Sequence, residues 1–213
     1  MIDKKLMVYG AILISGLVLV WLVKSLQPSD QVSQTNIKRT TPSRTQAFTP
    51  SVGENQVVLG ELLMDIPPGW KVEQPSTSLR IGQFRLPGSP VGKEAGELAV
   101  FSNIGGSVQA NLDRWFNQFQ QPDGTLSKNR ATIDQKSVNG IRITLADVSG
   151  TFIGSGMPMS QRVNNPNYRL LAAIVQTPQN IYYFKLVGPI ETITHWYESF
   201  NNFVDSIQKL NGV

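Results

Sequence analysis

The 213-residue chain has no cysteine and one histidine, His195. It therefore has no means to form a disulfide, a thiolate nucleophile or a Cys-ligated metal site, and any Ser-His-Asp arrangement would have to use His195. Nucleotide signatures are missing as well. The stretch "NIGGSVQANLDRWFNQF" at 103–119 runs a Gly-Gly turn into a helical pattern, but it lacks the third glycine of GxGxxG, and no GxxxxGK[ST] occurs. The EF-hand pattern is absent too, and with one histidine no metal or cofactor is expected. Charged residues are few, at 16%, and their imbalance is local: residues 51–213 carry 13 Lys plus Arg against 13 Asp plus Glu, whereas residues 1–50 carry 6 against 2. The formal net charge of +4 therefore belongs to the N-terminal arm. A charge-balanced domain lacks the basic footprint that releases counterions from phosphates, so no nucleic-acid partner is expected.

The longest hydrophobic run is "LMVYGAILISGLVLVWLV", residues 6–23, with no charge between Lys5 and Lys24. As a helix it would reach about 27 Å, against roughly 30 Å for a bilayer's hydrocarbon core. Tyr9 and Trp21 fall near its two ends, where amphipathic rings prefer the interface. The following "WLVKSLQPSD" has no small-x-small cleavage pattern, so residues 1–26 read as an uncleaved anchor rather than a signal peptide. Lysines on both sides leave the positive-inside rule nearly silent. A short lysine-bearing tail favours a cytoplasmic N-terminus. The expectation is a single-pass inner (plasma) membrane protein of bacterial type, with its domain on the extracytoplasmic, periplasmic side. Residues 27–56, rich in Ser, Thr, Gln and Pro, read as a disordered tether, and 57–213 as one globular domain.

Within that domain hairpin signals dominate. "ELLMDIPPGWKVE" reads as strand, Pro-Pro-Gly turn and a strand starting at Trp70. "SLRIGQFRLP" points Leu79, Ile81 and Phe84 inward across an irregularity at Gly82. "ATIDQKSVNGIRITLADV" turns at Asn139-Gly140, the dipeptide that best suits a type I′ turn. "YRLLAAIVQ" and "IYYFKLV" pair around Pro178-Gln179-Asn180. "GELAVFSN" and "LLAAIV" are apolar on both faces, so their strands are covered on both sides. Two segments have helical period. One is capped by Ser107 and carries Val108, Leu112, Trp115, Phe116 and Phe119. The other starts at Pro189 and carries Ile193, Tyr197, Phe200, Val204 and Ile207. The predicted fold is α+β, a mostly antiparallel sheet with a helix on each face, preceded by the single transmembrane helix.

"AVFSNIGGSVQANLDRWFNQF" and "YRLLAAIVQTPQNIYYFKLVGPIETI" resemble an uncharacterised family of bacterial membrane-anchored or exported proteins with a PsbP-like α/β/α sandwich. The Gly-Gly-Ser and Asn-x-x-Arg-Trp pieces carry most of the resemblance. It implies a fold and an exported location, and offers no catalytic residues to carry over.

The remaining chemistry is thin. His195 lies off the apolar stripe of its helix, and Glu191, Glu198 and Asp205 recur every seven residues as a solvated face. Trp70 and Trp115 have the spacing of core aromatics rather than of stacking platforms. Arg114, beside Trp115, could reach an anion, with a surface pairing to Asp113 or a Glu as the plainer reading. The turn at Gly105-Gly106 reads as geometry, not a phosphate cradle. The glycine-rich loop 154–165 differs: Met157 and Met159 are adaptable apolar contacts, Arg162 a polar anchor, and Gly154 the entry, which makes it the candidate partner-binding element. The function expected is a membrane-tethered, non-enzymatic module that binds or assembles a protein partner. A small-molecule or lipid carrier is the alternative, and a hydrolase built on His195 a more distant one.

Overall fold

In a computed structural model, residues 53–154 and 163–210 are described; they belong to one compact unit, Gln46–Val213. The chain runs β1 (Gln56–Leu59), β2 (Leu62–Asp65), β3 (Lys71–Glu73), β4 (Arg80–Leu86), β5 (Gly96–Ser102), α1 (Val108–Phe116), β6 (Phe119–Gln120), β7 (Thr132–Val138), β8 (Ile141–Phe152), β9 (Asn165–Gln176), β10 (Ile181–Pro189), α2 (Ile190–His195), α3 (Tyr197–Asp205) and β11 (Gln208–Lys209). The main sheet is antiparallel in the order β3-β4-β5-β10-β9-β8-β6, with β7 also paired to β8; a second, small sheet has the order β1-β2-β11.

Period-two alternation explains the layers. On β9, Leu171, Ala173 and Val175 enter one core while Leu170, Ala172 and Ile174 enter the other, so the strand is buried on both faces as its continuous apolar run implies. The first core is completed by Phe200, Phe203, Val204 and Ile207 from the C-terminal segment and by Val57, Leu59, Leu62 and Met64 from the small sheet. Leu112, Trp115 and Phe116 of α1 complete the second. Each large apolar side chain fully buried in this way contributes about 1.5–3 kcal/mol.

Both turn readings hold in detail. Asn139 (φ 50°) and Gly140 (φ 77°) are both left-handed, as a type I′ turn requires, and the β9–β10 turn is closed by Thr177 N–H donating to the Asn180 carbonyl at 3.0 Å. The register slips between Arg80 and Gly82, the irregularity expected there. Ile81 and Phe84 do face the core, but Leu79 lies ahead of the strand and is 71% exposed, so its inward assignment is corrected.

The helices need two corrections. Ser107 caps α1 through its Oγ, which accepts from Ala110 N–H, but the helix stops at Phe116 and Phe119 is a strand residue paired with Phe152. The long C-terminal helix is two helices broken at Trp196 (φ −91°, ψ 6°). Tertiary bonds hold that break: the Trp196 indole N–H donates to the Pro87 carbonyl at 2.8 Å, and the Thr192 hydroxyl accepts from Ser89 N–H. Tyr197 consequently leaves the apolar stripe and lies 5.0 Å under the Arg169 guanidinium.

Candidate functional site

The Gly-Gly turn is an internal clasp. Gly105 (φ 76°) and Gly106 (φ 77°) both sit in the left-handed region, where a Cβ is strained. The carbonyls of Gly105 and Ser107 accept from the Asn111 side-chain amide, each at 2.9 Å. Asn111 is buried and also accepts from the Arg114 guanidinium. Trp115 packs edge-on to Tyr183, centroids 6.1 Å apart. The Asn-x-x-Arg-Trp piece thus holds α1 to its own entry turn and to the sheet. Asn103 ties the same turn to the β9–β10 turn, its amide donating to Asn180 Oδ1 at 2.8 Å.

Trp70 and Trp115 are both buried, so neither is a surface platform. His195 is exposed and packs edge-on against Trp196, and its ring makes no hydrogen bond among the described residues. Glu191 pairs with Lys93 at 3.2 Å and Asp205 with Lys136 at 2.6 Å, the solvated face expected of them. Among the described residues no group of three or more His, Asp and Glu is placed to hold a metal ion. Of the candidate loop, Gly154 is buried at φ 82°, while Met157, Met159 and Arg162 lie outside the described residues, as do the anchor and most of the tether. No helix among the described residues is long and apolar enough to cross a membrane.

The unusual chemistry lies on the α1 side of the sheet, beyond the helix. Cross-strand register puts Ala172, Lys185, Ala99, Gln83 and Glu73 in one row across β9, β10, β5, β4 and β3. Neighbouring strands are about 4.8 Å apart, and paired residues share a face. The first member packs under α1; past Lys185 the face carries charge. Arg80 bridges to Glu97 at 2.9 Å and donates to Gln83 at 2.7 Å, and Gln83 donates to Glu73 at 3.0 Å. Lys71 and Arg85 pair across β3 and β4 on the same face, both exposed. With Lys185 that makes four cations on the sheet face against the two carboxylates Glu73 and Glu97, and α1 adds the exposed Arg114 beside Asp113. A chain segment that is neutral in total has its charges segregated in space.

Lys185 is the anomaly in this set. It is the one charged residue in "IYYFKLV", on the strand face that Tyr183 and Val187 share with α1's core. The ammonium donates to Gln118 Oε1 and sits 5.7 Å from the Phe152 ring centroid, and among the described residues it forms no ion pair. Gln118 is fixed at the helix exit, its N–H bonded to the Trp115 carbonyl and its own carbonyl to Ile153 N–H. Burying an ammonium costs several kcal/mol, whereas a cation–π contact returns about 0.5–2 kcal/mol and a hydrogen bond to a charged group about 1.5–3 kcal/mol. The charge is under-compensated: burial first, with repulsion from Arg80 and Arg114, pulls its pKa down to about 8, and Glu97 opposes only in part. The lysine interrupting an apolar strand was the signal for this site in the sequence; its partners came from four other elements and had none.

No family model matches the chain, and no curated protein does so at a significant level. Among solved structures the chain is similar to the protein of unknown function PA94 from Pseudomonas aeruginosa, at 12% identity and a TM-score of 0.41 over 71% of this chain and 93% of that one. It is also similar to the cyanobacterial PsbP (CyanoP) of Synechocystis sp. PCC 6803, at 10% identity and a TM-score of 0.44 over 76% of this chain and 96% of that one. Likenesses of this degree say nothing about what the chain does; the architecture itself is α+β, built on antiparallel sheets with few helices.

Proposed function

We propose that this chain is a membrane-tethered, non-enzymatic binding module of PsbP-like architecture, held by residues 6–23 with its domain outside the cytoplasm. Its partner meets the cation-rich part of the α1-side sheet face, where Lys71 and Arg85 are exposed. The single observation that carries the reading is the segregation of Lys71, Arg80, Arg85, Arg114 and Lys185 onto one side of a domain with balanced charge. Such a surface selects an anionic complement and raises its encounter rate. Among the described residues His195 makes no hydrogen bond and Glu191 and Asp205 pair with lysines, which supports a binding role over a hydrolase built on them.

A photo-cross-linker at Arg85 in the full-length protein, in its native membrane, tests this against the same probe at Asp134 on the exposed strand β7. The expected result is a discrete adduct from position 85, absent from 134 and weakened by added salt. Equal labelling from both positions, or none from 85, would contradict the reading. The carrier reading is favoured by one observation: the nearly buried ammonium of Lys185 forms no ion pair among the described residues.

A further inference from the structure

We propose that Lys185, rimmed by Gln118 and Arg114, is a subsite for a single oxyanion, the phosphate or carboxylate of a small ligand. The inference rests on reading this face as the binding surface and adds the chemistry of one position within it. Both contacts of the ammonium are neutral, the Gln118 amide oxygen and the Phe152 ring. Glu97 is the nearby carboxylate whose field favours the charged lysine, and it is already engaged by Arg80 at 2.9 Å.

Among the described residues the position has one neutral acceptor, Gln118 Oε1, and no carboxylate bonded to the ammonium. Gln118 uses its oxygen for Lys185, which leaves its amide hydrogens unbonded among those residues. Arg114 uses one nitrogen for Asn111 and is otherwise exposed. Lys185 is flanked in register by Ala99 and Ala172, whose side chains stop at Cβ and offer the ammonium no polar partner. A compact anion here would supply the charge that the fold withholds, and would hydrogen-bond the ammonium and the amide together.

The test uses the full-length chain in detergent micelles, with inorganic phosphate, acetate and dihexanoyl phosphatidate titrated separately against chloride at constant ionic strength. Melting temperature at pH 7 should rise saturably by a few degrees with at least one probe. The rise should vanish in Lys185→Met, persist in Lys93→Gln, which alters an exposed cation paired with Glu191 away from this face, and shrink at pH 9.5. Phosphate, acetate or phosphatidate as the effective probe assigns the group to a soluble phosphate, a carboxylate or a lipid headgroup. Should Lys185→Met fail to fold, side-chain NMR of wild-type Lys185 decides: the bound anion must move its titration upward. No saturable rise with any probe, an equal rise in Lys185→Met, or an unmoved titration overturns the subsite. The cross-link from position 85 does not depend on Lys185, so its retention beside a failed titration would remove the subsite and leave the binding face.

Discussion

The two faces of the main sheet are built on different terms. On the side of α2 and α3, apolar residues run from Phe84 on β4 through Phe184 on β10 to Ile143 on β8, and Trp70, Phe84, Phe184 and Phe203 interlock with centroids 5.1–6.1 Å apart. On the other side α1 covers the middle of the sheet, and from Lys185 towards β3 the same strands carry Arg80, Gln83, Arg85, Glu97 and Glu73 instead. The backbone is common to both faces, so the difference is one of side-chain choice at alternate positions. The first face stabilises the fold; the second, beyond α1, gives up apolar burial and keeps an under-compensated cation.

The comparison breaks most visibly if the apolar face is cut. Phe203→Ala, which removes the ring that Trp70, Phe84 and Phe184 share, should cost about 3–5 kcal/mol, while Arg85→Ala on the polar face should stay within about 0.5 kcal/mol, both read from denaturant midpoints. Similar losses from the two would erase the distinction.

Lys185→Met sharpens it with the opposite sign. The native pKa, near 8, lies below the usual 10.5, so between those values the unfolded chain holds a proton the folded one lacks, and wild-type stability rises with pH. The cost of burying the charge is fully present below about pH 8 and is relieved by about pH 10.5. At pH 7 the variant should be more stable than wild type by up to about 3 kcal/mol, the equivalent of that displacement, with the gap closing as pH rises. A variant less stable than wild type at pH 7 would make Lys185 an ordinary structural residue.

A smaller effect is expected at Glu61, which joins the small sheet to the β9–β10 turn. Its Oε1 accepts from Thr177 Oγ at 2.6 Å and from Asn180 at 3.0 Å, while Lys209 lies 3.3 Å from Oε2. Those hydrogen bonds, Thr177 first, hold its pKa below 4.5. This stability is therefore present above about pH 4.5 and lost as pH falls through the lowered folded value. Glu61→Gln should cost about 1–3 kcal/mol at pH 7 and less at pH 3, by thermal melting at both pH values. An equal cost at both would mean that the charge contributes nothing.

Periodicity carried most of the fold: the two-faced strands β5 and β9, the Asn139-Gly140 turn and the Ser107 cap all follow from local pattern. What local pattern missed was decided at a distance. Residues 208 and 209 form a strand only because Leu62 and Leu63 of β2 lie beside them. The break at Trp196 depends on a carbonyl 109 residues away. Phe119 keeps the helical spacing of an apolar stripe yet pairs with Phe152, because the chain needs strand β6 to flank β8. The cation-rich face was hidden for a similar reason: total charge after residue 50 is zero, and only the register of β3, β4, β5 and β10 separates the signs.

The central claim is that the fold carries Lys185 as an under-compensated cation. Its side-chain titration, followed by heteronuclear NMR on the full-length protein in anion-poor buffer, measures that directly. The account requires a midpoint near pH 8; a midpoint at or above 10.5 would show the ammonium fully compensated within the fold and would contradict it.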